Sequence, residues 1–311
     1  MLITIFAFCL FIPFVNAADS LNLSSESAIL MDALSGKILY EKNIDEKLPM
    51  ASMTKIMSML LIMENIEKGN LTYEETVLIS ENASGMGGSQ VFLQAGEEYT
   101  VNDLLKCIAI SSANDAVVAM AEKISGSVDA FVELMNTRAQ ELGLVNTHFA
   151  NPHGLDNEDH YSTARDMALM AKELLSHEDI LKYTSIYEDY LTKPDGSQVW
   201  LVNTNRLVRF YDGVDGLKTG YTTEAGYCLT ATAKKNDLRL ISVVMKSPSA
   251  EERSSDTSTL LSYGFNSFKN NIVFSKEKSL GKVKVEKGKI SEIDVYLKED
   301  ATEILSVTEK P

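Results

Sequence analysis

Residues 54–68 are the most strongly apolar helical stretch of the chain. Ile56, Met57, Leu60, Leu61 and Met63 recur at helical spacing, and Gly69 ends the run. A helix of this kind is stable mainly through the one apolar face it buries. Ser52-Met53-Thr54-Lys55 runs into its start, Ser52 directly preceding the helix. Helices and strands alternate on either side. Residues 28–34 and 37–41 flank Ser35-Gly36 and predict a hairpin. A helical region over 101–125 is interrupted at 111–114 and closed by Gly126; a further helix over 128–142 stops at Gly143. A polar loop over 151–161 precedes a helix over 163–175. Residues 226–233 and 238–245 read as strands, and 251–261 as a closing helix.

The chain has 311 residues, with 29 Lys and Arg against 44 Asp and Glu, a net charge of −15. That length suggests two domains and allows a real core. At 45% apolar and 23% charged residues it is an ordinary globular composition. The acidic balance argues against sequence-independent nucleic-acid binding, which needs clustered Lys and Arg. Three cysteines, Cys9, Cys107 and Cys228, exclude a disulfide scaffold, and no C-x-x-C pair supports a structural zinc site. Cys107 and Cys228 stand among apolar residues and read as small buried hydrophobes. From residue 269 the composition shifts: 269–311 carries a net charge of +1, the remainder −16. Alternation over 282–285 and 293–297 predicts strands, so this tail reads as the start of a β-rich second domain.

Residues 1–15 are almost wholly apolar, and Val15-Asn16-Ala17 has the form of a secretory cleavage site. We expect a signal peptide over 1–17 with Ala18 as the new terminus; the run is short of the roughly 20 residues that span a bilayer. No Lys or Arg precedes it, which leads us to expect a start further upstream. Phe8 before Cys9 argues against lipidation there.

Three short motifs follow in order: Ser52-Met53-Thr54-Lys55, Ser112-Ala113-Asn114 and Lys218-Thr219-Gly220. Each alone is commonplace. S-x-x-K recurs at Ser275–Lys278 and Ser279–Lys282, but there in a strand-like tail, where positions i and i+3 face opposite ways. Ser52 and Lys55, on a helix, share a face. The chemistry explains the set. A serine hydroxyl needs a base to become a nucleophile. Lys55 serves as that base only when neutral, and burial or a second cation such as Lys218 favours the neutral form. Ser112 can relay a proton, because a hydroxyl both donates and accepts. Asn114 offers an amide to hold Lys55 and the substrate backbone. The Ser52 N–H, near a helix N-terminus, is placed for an oxyanion.

With these motifs in place the sequence resembles the D-alanyl-D-alanine carboxypeptidases, low-molecular-mass penicillin-binding proteins of the serine-peptidase class. The resemblance runs over about 28–268. It is carried by Met50-Ala51-Ser52-Met53-Thr54-Lys55, by Ser112-Ala113-Asn114-Asp115-Ala116, by Asn151-Pro152-His153-Gly154-Leu155-Asp156 with His160-Tyr161-Ser162-Thr163-Ala164, and by Asp215-Gly216-Leu217-Lys218-Thr219-Gly220-Tyr221-Thr222 with Ala225-Gly226-Tyr227. Ala113 in the middle motif fits the carboxypeptidases better than class A β-lactamases. The resemblance implies an acyl-enzyme on Ser52, with Lys55 accepting its proton and Ser112 assisting. It also implies a carboxylate site from Lys218, Thr219 and Gly220, a second oxyanion N–H from Tyr221, and an auxiliary carboxylate contact from Arg253. The implied fold class is α+β, a β-lactamase/transpeptidase-like domain over 18–268 with an antiparallel sheet flanked by helices, followed by the β-rich segment 269–311.

No cofactor and no metal are implied. His153, Asp156, Asp159 and His160 are potential ligands, but they fall in a loop without an H-E-x-x-H helix. G-x-S-x-G is absent, since Gly87-Gly88-Ser89-Gln90-Val91 fails at its last position. The expected partners are peptidoglycan stem peptides and, as covalent inhibitors, β-lactams. The expected location is the cell envelope or outside the cell. Family members usually end in an amphipathic membrane-anchoring helix that residues 292–311 do not contain, which points to a longer protein or to an unanchored form. The rival activities are a β-lactamase, a DD-endopeptidase and a non-catalytic peptidoglycan-binding protein; the paired nucleophile and base argue against the last.

Overall fold

The computed structural model describes residues 21–286, 290–298 and 300–308; the expected signal peptide lies outside them. The chain opens with β1 (Ser27–Asp32) and β2 (Ile38–Lys42), the predicted hairpin, whose turn is closed by Asp32 accepting from the N–H and hydroxyl of Ser35. A 3-10 turn (Ala51–Thr54) leads into α1 (Lys55–Glu67). A small pair, β3 (Thr76–Leu78) and β4 (Glu98–Thr100), brackets α2 (Glu81–Ser84). Three helices follow: α3 (Val101–Ser111), α4 (Asn114–Ser125) and α5 (Val128–Glu141). Beyond a long loop come α6 (Ala164–Ser176) and α7 (Leu181–Thr184), then the hairpin β5 (Glu188–Thr192) and β6 (Gln198–Val202), and α8 (Leu207–Phe210). The long strands β7 (Val214–Thr222), β8 (Gly226–Lys235) and β9 (Leu238–Ser247) precede α9 (Ala250–Ser267).

The main sheet has five strands in the order β2-β1-β9-β8-β7, every neighbouring pair antiparallel. Because β1 lies beside β9, with Leu30 opposite Ser242, the early and late parts of the chain close on one another. Both faces of the sheet are covered. Ile29 and Met31 enter the larger core, which holds α1, while Ala28 and Leu30 enter the smaller core under α9. In β9, Ile241, Val243 and Met245 face the first core and Leu240 and Val244 the second. Burial on both faces is why these strands read as nearly unbroken apolar runs.

The structure departs from the sequence expectation in α1, which is not amphipathic. Lys55 through Glu64 are all buried, enclosed by α3, α4, α5 and α6. A helix walled in on every side carries its first residue, Lys55, into the interior as well. The closing helix also runs on to Ser267, past the predicted end at 261. Residues 262–267 are weak helix formers, and tertiary contact carries the helix through them. Gly264 lies so close to the sheet that a Cβ there would stand 2.5 Å from Leu240 Cδ1. Cys107 and Cys228 are free and buried.

The tail forms two small antiparallel pairs. β10 (Phe268–Phe274) pairs with β13 (Ala301–Ser306), and β11 (Gly281–Lys284) with β12 (Glu292–Val295). Ile304 is buried in the smaller core and Lys37 Nζ donates to its carbonyl at 3.1 Å, so β13 rests on the preceding fold. Among the described residues no helix is long and apolar enough to cross a membrane.

Candidate active site

β7 is an edge strand, and its Gly220 lies against the 3-10 turn before α1. A Cβ on Gly220 would stand 2.7 Å from Met50 O and 3.2 Å from Ser52 N. From another loop Gly154, at φ +92°, approaches the same peptide: a Cβ there would be 2.0 Å from Ala51 O and 2.9 Å from Ser52 N. Only glycine permits either approach, and at Gly154 the positive φ adds a second reason. Between them Ala51 adopts φ +46°, the left-handed region that costs a residue with a Cβ roughly 1–2 kcal/mol. The backbone at Ser52 is therefore held by close contact on both sides.

Lys55 Nζ meets three oxygens. It lies 3.0 Å from Ser52 Oγ, 2.7 Å from Asn114 Oδ1 and 2.7 Å from the His153 carbonyl. The side chain is fully buried. Burial first, and then the charge of Lys218, hold its pKa well below the ordinary value, with Asp115 acting weakly in the other direction.

The predicted break at 111–114 is real. α3 ends on Ser112, which takes the left-handed conformation (φ 63°, ψ 29°), and α4 starts at Asn114. Asn114 works in two directions: its Oδ1 accepts from Lys55, and its Nδ2 donates to Gly87 O at 2.7 Å. Its backbone N–H donates to Ser89 O at 2.7 Å, while the Asp115 carboxylate accepts from the N–H groups of Val91 and Leu93. The loop over 87–93 is thus tied to the start of α4. Ser112 is buried beside Asn114, and its hydroxyl has no hydrogen-bond partner among the described residues.

Lys218 is buried, and its Nζ donates only weakly, to Thr219 O at 3.2 Å. Burial and the charge of Arg253 bring its pKa down to about 7. Arg253, in the first turn of α9, is itself buried, with Nε unpaired among the described residues, and burial lowers its pKa too. Neither cation has a carboxylate partner among the described residues. Two buried cations lie within electrostatic reach of each other without a counter-ion, an arrangement whose chemistry can take up an anion. Thr219 donates its hydroxyl to Thr204 Oγ1 at 2.7 Å. Tyr221, one residue past Gly220, keeps its ring exposed and tilted by 31° against Tyr227, with centroids 4.3 Å apart.

Direct hydrogen bonds therefore join Ser52, Lys55 and Asn114. Gly220 touches the Ser52 backbone, and Lys218 acts on Lys55 and Arg253 on Lys218 through charge. Ser112 and Tyr221 adjoin the group without bonding to it. Sequence reasoning gave no role to the His153 and Gly87 carbonyls, to Gly154 or to Thr204. The glycine within Asn151-Pro152-His153-Gly154-Leu155 was a signal; a backbone carbonyl leaves none. His153 and His160 accept backbone N–H bonds through Nδ1, from Leu155 and Ala150. Among the described residues no three His, Cys, Asp or Glu side chains are grouped to hold a metal ion.

Comparison with known proteins identifies the family. The family model described as D-alanyl-D-alanine carboxypeptidase matches residues 14–249. The chain is 53% identical to the D-alanyl-D-alanine carboxypeptidase DacF of Bacillus subtilis, over 88% of this chain and 71% of that protein. It is 39% identical to DacA of Escherichia coli, over 82% of this chain and 67% of that protein. Among solved structures, the carboxypeptidase DacD from Francisella tularensis superposes with a TM-score of 0.82 at 30% identity, covering 96% of this chain and 87% of that one. The penicillin-binding protein D2 from Listeria monocytogenes, in its ampicillin-bound form, gives 0.71 at 33% identity, covering 79% and 99%. On the extent of these matches, and with the expected α+β transpeptidase-like fold in place, the chain belongs to the D-alanyl-D-alanine carboxypeptidase family of serine peptidases.

Proposed function

We propose that this enzyme removes the terminal D-alanine from peptidoglycan stem peptides through an ester formed on Ser52. The observation that carries the reading is the setting of Lys55 Nζ. Two of its three oxygen neighbours, Asn114 Oδ1 and the His153 carbonyl, can only accept. A neutral amine has two N–H groups, which those carbonyls take up. Its lone pair then faces the third neighbour, the Ser52 hydroxyl, which can donate. Burial and Lys218 favour that neutral form.

Ser52 Oγ attacks the carbonyl carbon of the penultimate D-Ala while its proton passes to Lys55. The N–H of Ser52, with that of Tyr221, receives the oxyanion. When the tetrahedral species collapses, the C–N bond breaks and the proton returns from Lys55 through the Ser112 hydroxyl to the departing D-Ala nitrogen. A water molecule, deprotonated by Lys55, then splits the ester. Lys218, Thr219 and Arg253 hold the substrate's terminal carboxylate, with Gly220 leaving room for its backbone along the edge of β7.

The strained amide of a β-lactam meets the same serine, and ampicillin is bound in the related Listeria protein. Action on peptidoglycan is extracytoplasmic, and we assign export to residues 1–17. The names of the relatives favour a carboxypeptidase over a β-lactamase, a DD-endopeptidase or a binding protein. The test is D-alanine release from a Lys-D-Ala-D-Ala peptide beside a Ser52→Ala control. Release that disappears in the control is expected; equal release in both would overturn the assignment.

A further inference from the structure

The backbone at Ala51 and Ser52 is held in an uncommon conformation, and a chain of buried side chains reaches it from a distant loop. Thr54 Oγ1 lies 2.7 Å from Ala51 O and 2.6 Å from His160 Nε2, and the N–H of Ala150 points at His160 Nδ1 at 3.0 Å. The direction of every bond is fixed by what each group can do. A backbone N–H only donates, so His160 Nδ1 carries no proton. The neutral ring then bears its hydrogen on Nε2 and donates to Thr54 Oγ1. That leaves the Thr54 hydroxyl hydrogen for the Ala51 carbonyl, which only accepts. Thr54 and His160 are both buried, and burial, aided by His153, His148 and Lys55, pushes the His160 pKa down to about 3. The ring stays neutral and the relay keeps one orientation.

The relay ends on the carbonyl of the peptide that carries the Ser52 N–H. A peptide unit is planar, and in the trans form its C=O and N–H point in opposite directions. Fixing the carbonyl of Ala51 therefore fixes the aim of the Ser52 N–H. Gly154 presses on the same oxygen, so the contact sets its position and the hydroxyl bond sets its direction.

We propose that Thr54 and His160 are positioning residues that aim the Ser52 N–H at the oxyanion. The inference rests on the reading of Ser52 as the acylated residue. It assigns work to the histidine of His160-Tyr161-Ser162-Thr163 that a metal or acid–base role does not require. The hydrogen bonds of the His160 ring go to Thr54 and to the Ala150 N–H, not to Lys55, so it acts through Thr54.

The test compares wild type, Ser52→Ala, Thr54→Val and Thr54→Ser for D-alanine release and for affinity towards a boronic acid that forms a tetrahedral adduct on serine. Thr54→Val keeps the volume and removes the hydroxyl. It is expected to lower kcat by about tenfold to a hundredfold, the scale of a misaimed group, with KM unchanged. Affinity for the boronic acid should fall in parallel. Thr54→Ser, which restores the donor, should return kcat to within about threefold of wild type. Should Thr54→Val fail to fold, Thr54→Ala removes the same hydroxyl without added bulk and carries the same expectation. Thr54→Val with wild-type kcat, or Thr54→Ser as impaired as Thr54→Val, would overturn the relay, as would a rise in KM matching the loss in kcat. Full release by Ser52→Ala would instead remove the reading on which the relay rests.

Discussion

Asn114 joins Lys55 to the loop that shelters it: Oδ1 accepts from Lys55 Nζ at 2.7 Å while Nδ2 donates to Gly87 O at 2.7 Å. The amide has one correct orientation, because the two neighbours demand opposite roles. Replacing it by a carboxylate changes both. Asn114→Asp places an anion on Lys55, which favours the ammonium and raises its pKa. The expected result is that β-lactam acylation becomes slower at neutral pH and its rising limb moves upward by about one pH unit or more. Stopped-flow acylation across pH measures this; an unmoved limb contradicts the role given to Asn114.

Lys218 sets the opposite limb. Its pKa of about 7 means that the free enzyme loses this cation as pH rises through neutrality. A substrate carboxylate needs the charged form. The kcat/KM for D-alanine release should therefore fall above about pH 7, since that ratio reports groups of the free enzyme. A ratio that climbs steadily to about pH 10 would be incompatible with Lys218 as the carboxylate cation.

The same residue makes a stability prediction. Lys218 binds its proton less readily folded than unfolded, with a pKa of about 7 against the ordinary 10.5. Between those values the unfolded chain holds more protons, so stability rises with pH across that window; below it the penalty is fully present. Lys218→Met removes the penalty and keeps the length. We expect Tm at neutral pH to rise by about 2–4 °C while activity is lost. Calorimetry on both proteins decides it, and a lower Tm for the variant counts against an unpaired buried cation.

Arg253 has a buried, unpaired Nε beside Lys218. Its removal should weaken binding of the terminal carboxylate specifically. For Arg253→Ala the expected loss in kcat/KM is about 30-fold to 100-fold on the free-acid peptide, the scale of a hydrogen bond to a charged group. The C-terminal amide of the same peptide should be hydrolysed as slowly by the variant as by wild type. Equal losses on both peptides would mean that Arg253 supports the fold rather than the carboxylate.

Gly154 tests the packing around Ser52. A Cβ there meets Ala51 O at 2.0 Å on a backbone at φ +92°. Neither backbone can yield without moving Ser52. Gly154→Ala should cost about 3 kcal/mol of stability, combining overpacking with a strained φ, and should abolish acylation. Chemical denaturation gives the first quantity and labelling with a fluorescent penicillin the second.

Much of this was legible before the structure. The helices around 54–68 and 101–142 carry their own periodicity and stops, and the break at 111–114 showed as polar residues within an apolar pattern. The edge strand β7 was not legible. Its Lys218-Thr219-Gly220 core is polar and glycine-bearing, the composition of a turn, yet it pairs with β8 along the edge of the sheet. The hairpin of β5 and β6 was missed although Pro194-Asp195-Gly196 is a turn signal, since its flanking runs alternate only weakly. The all-round burial of α1 and the carbonyls that meet Lys55 arise from tertiary packing. A segment's own periodicity does not record which other segments will enclose it.

The most direct measurement is to map the covalent adduct left by benzylpenicillin. A single adduct is expected, on the peptide containing Ser52, that is lost in Ser52→Ala and formed far more slowly in Lys55→Met. An adduct on any other residue, or one that survives in Ser52→Ala, would contradict it.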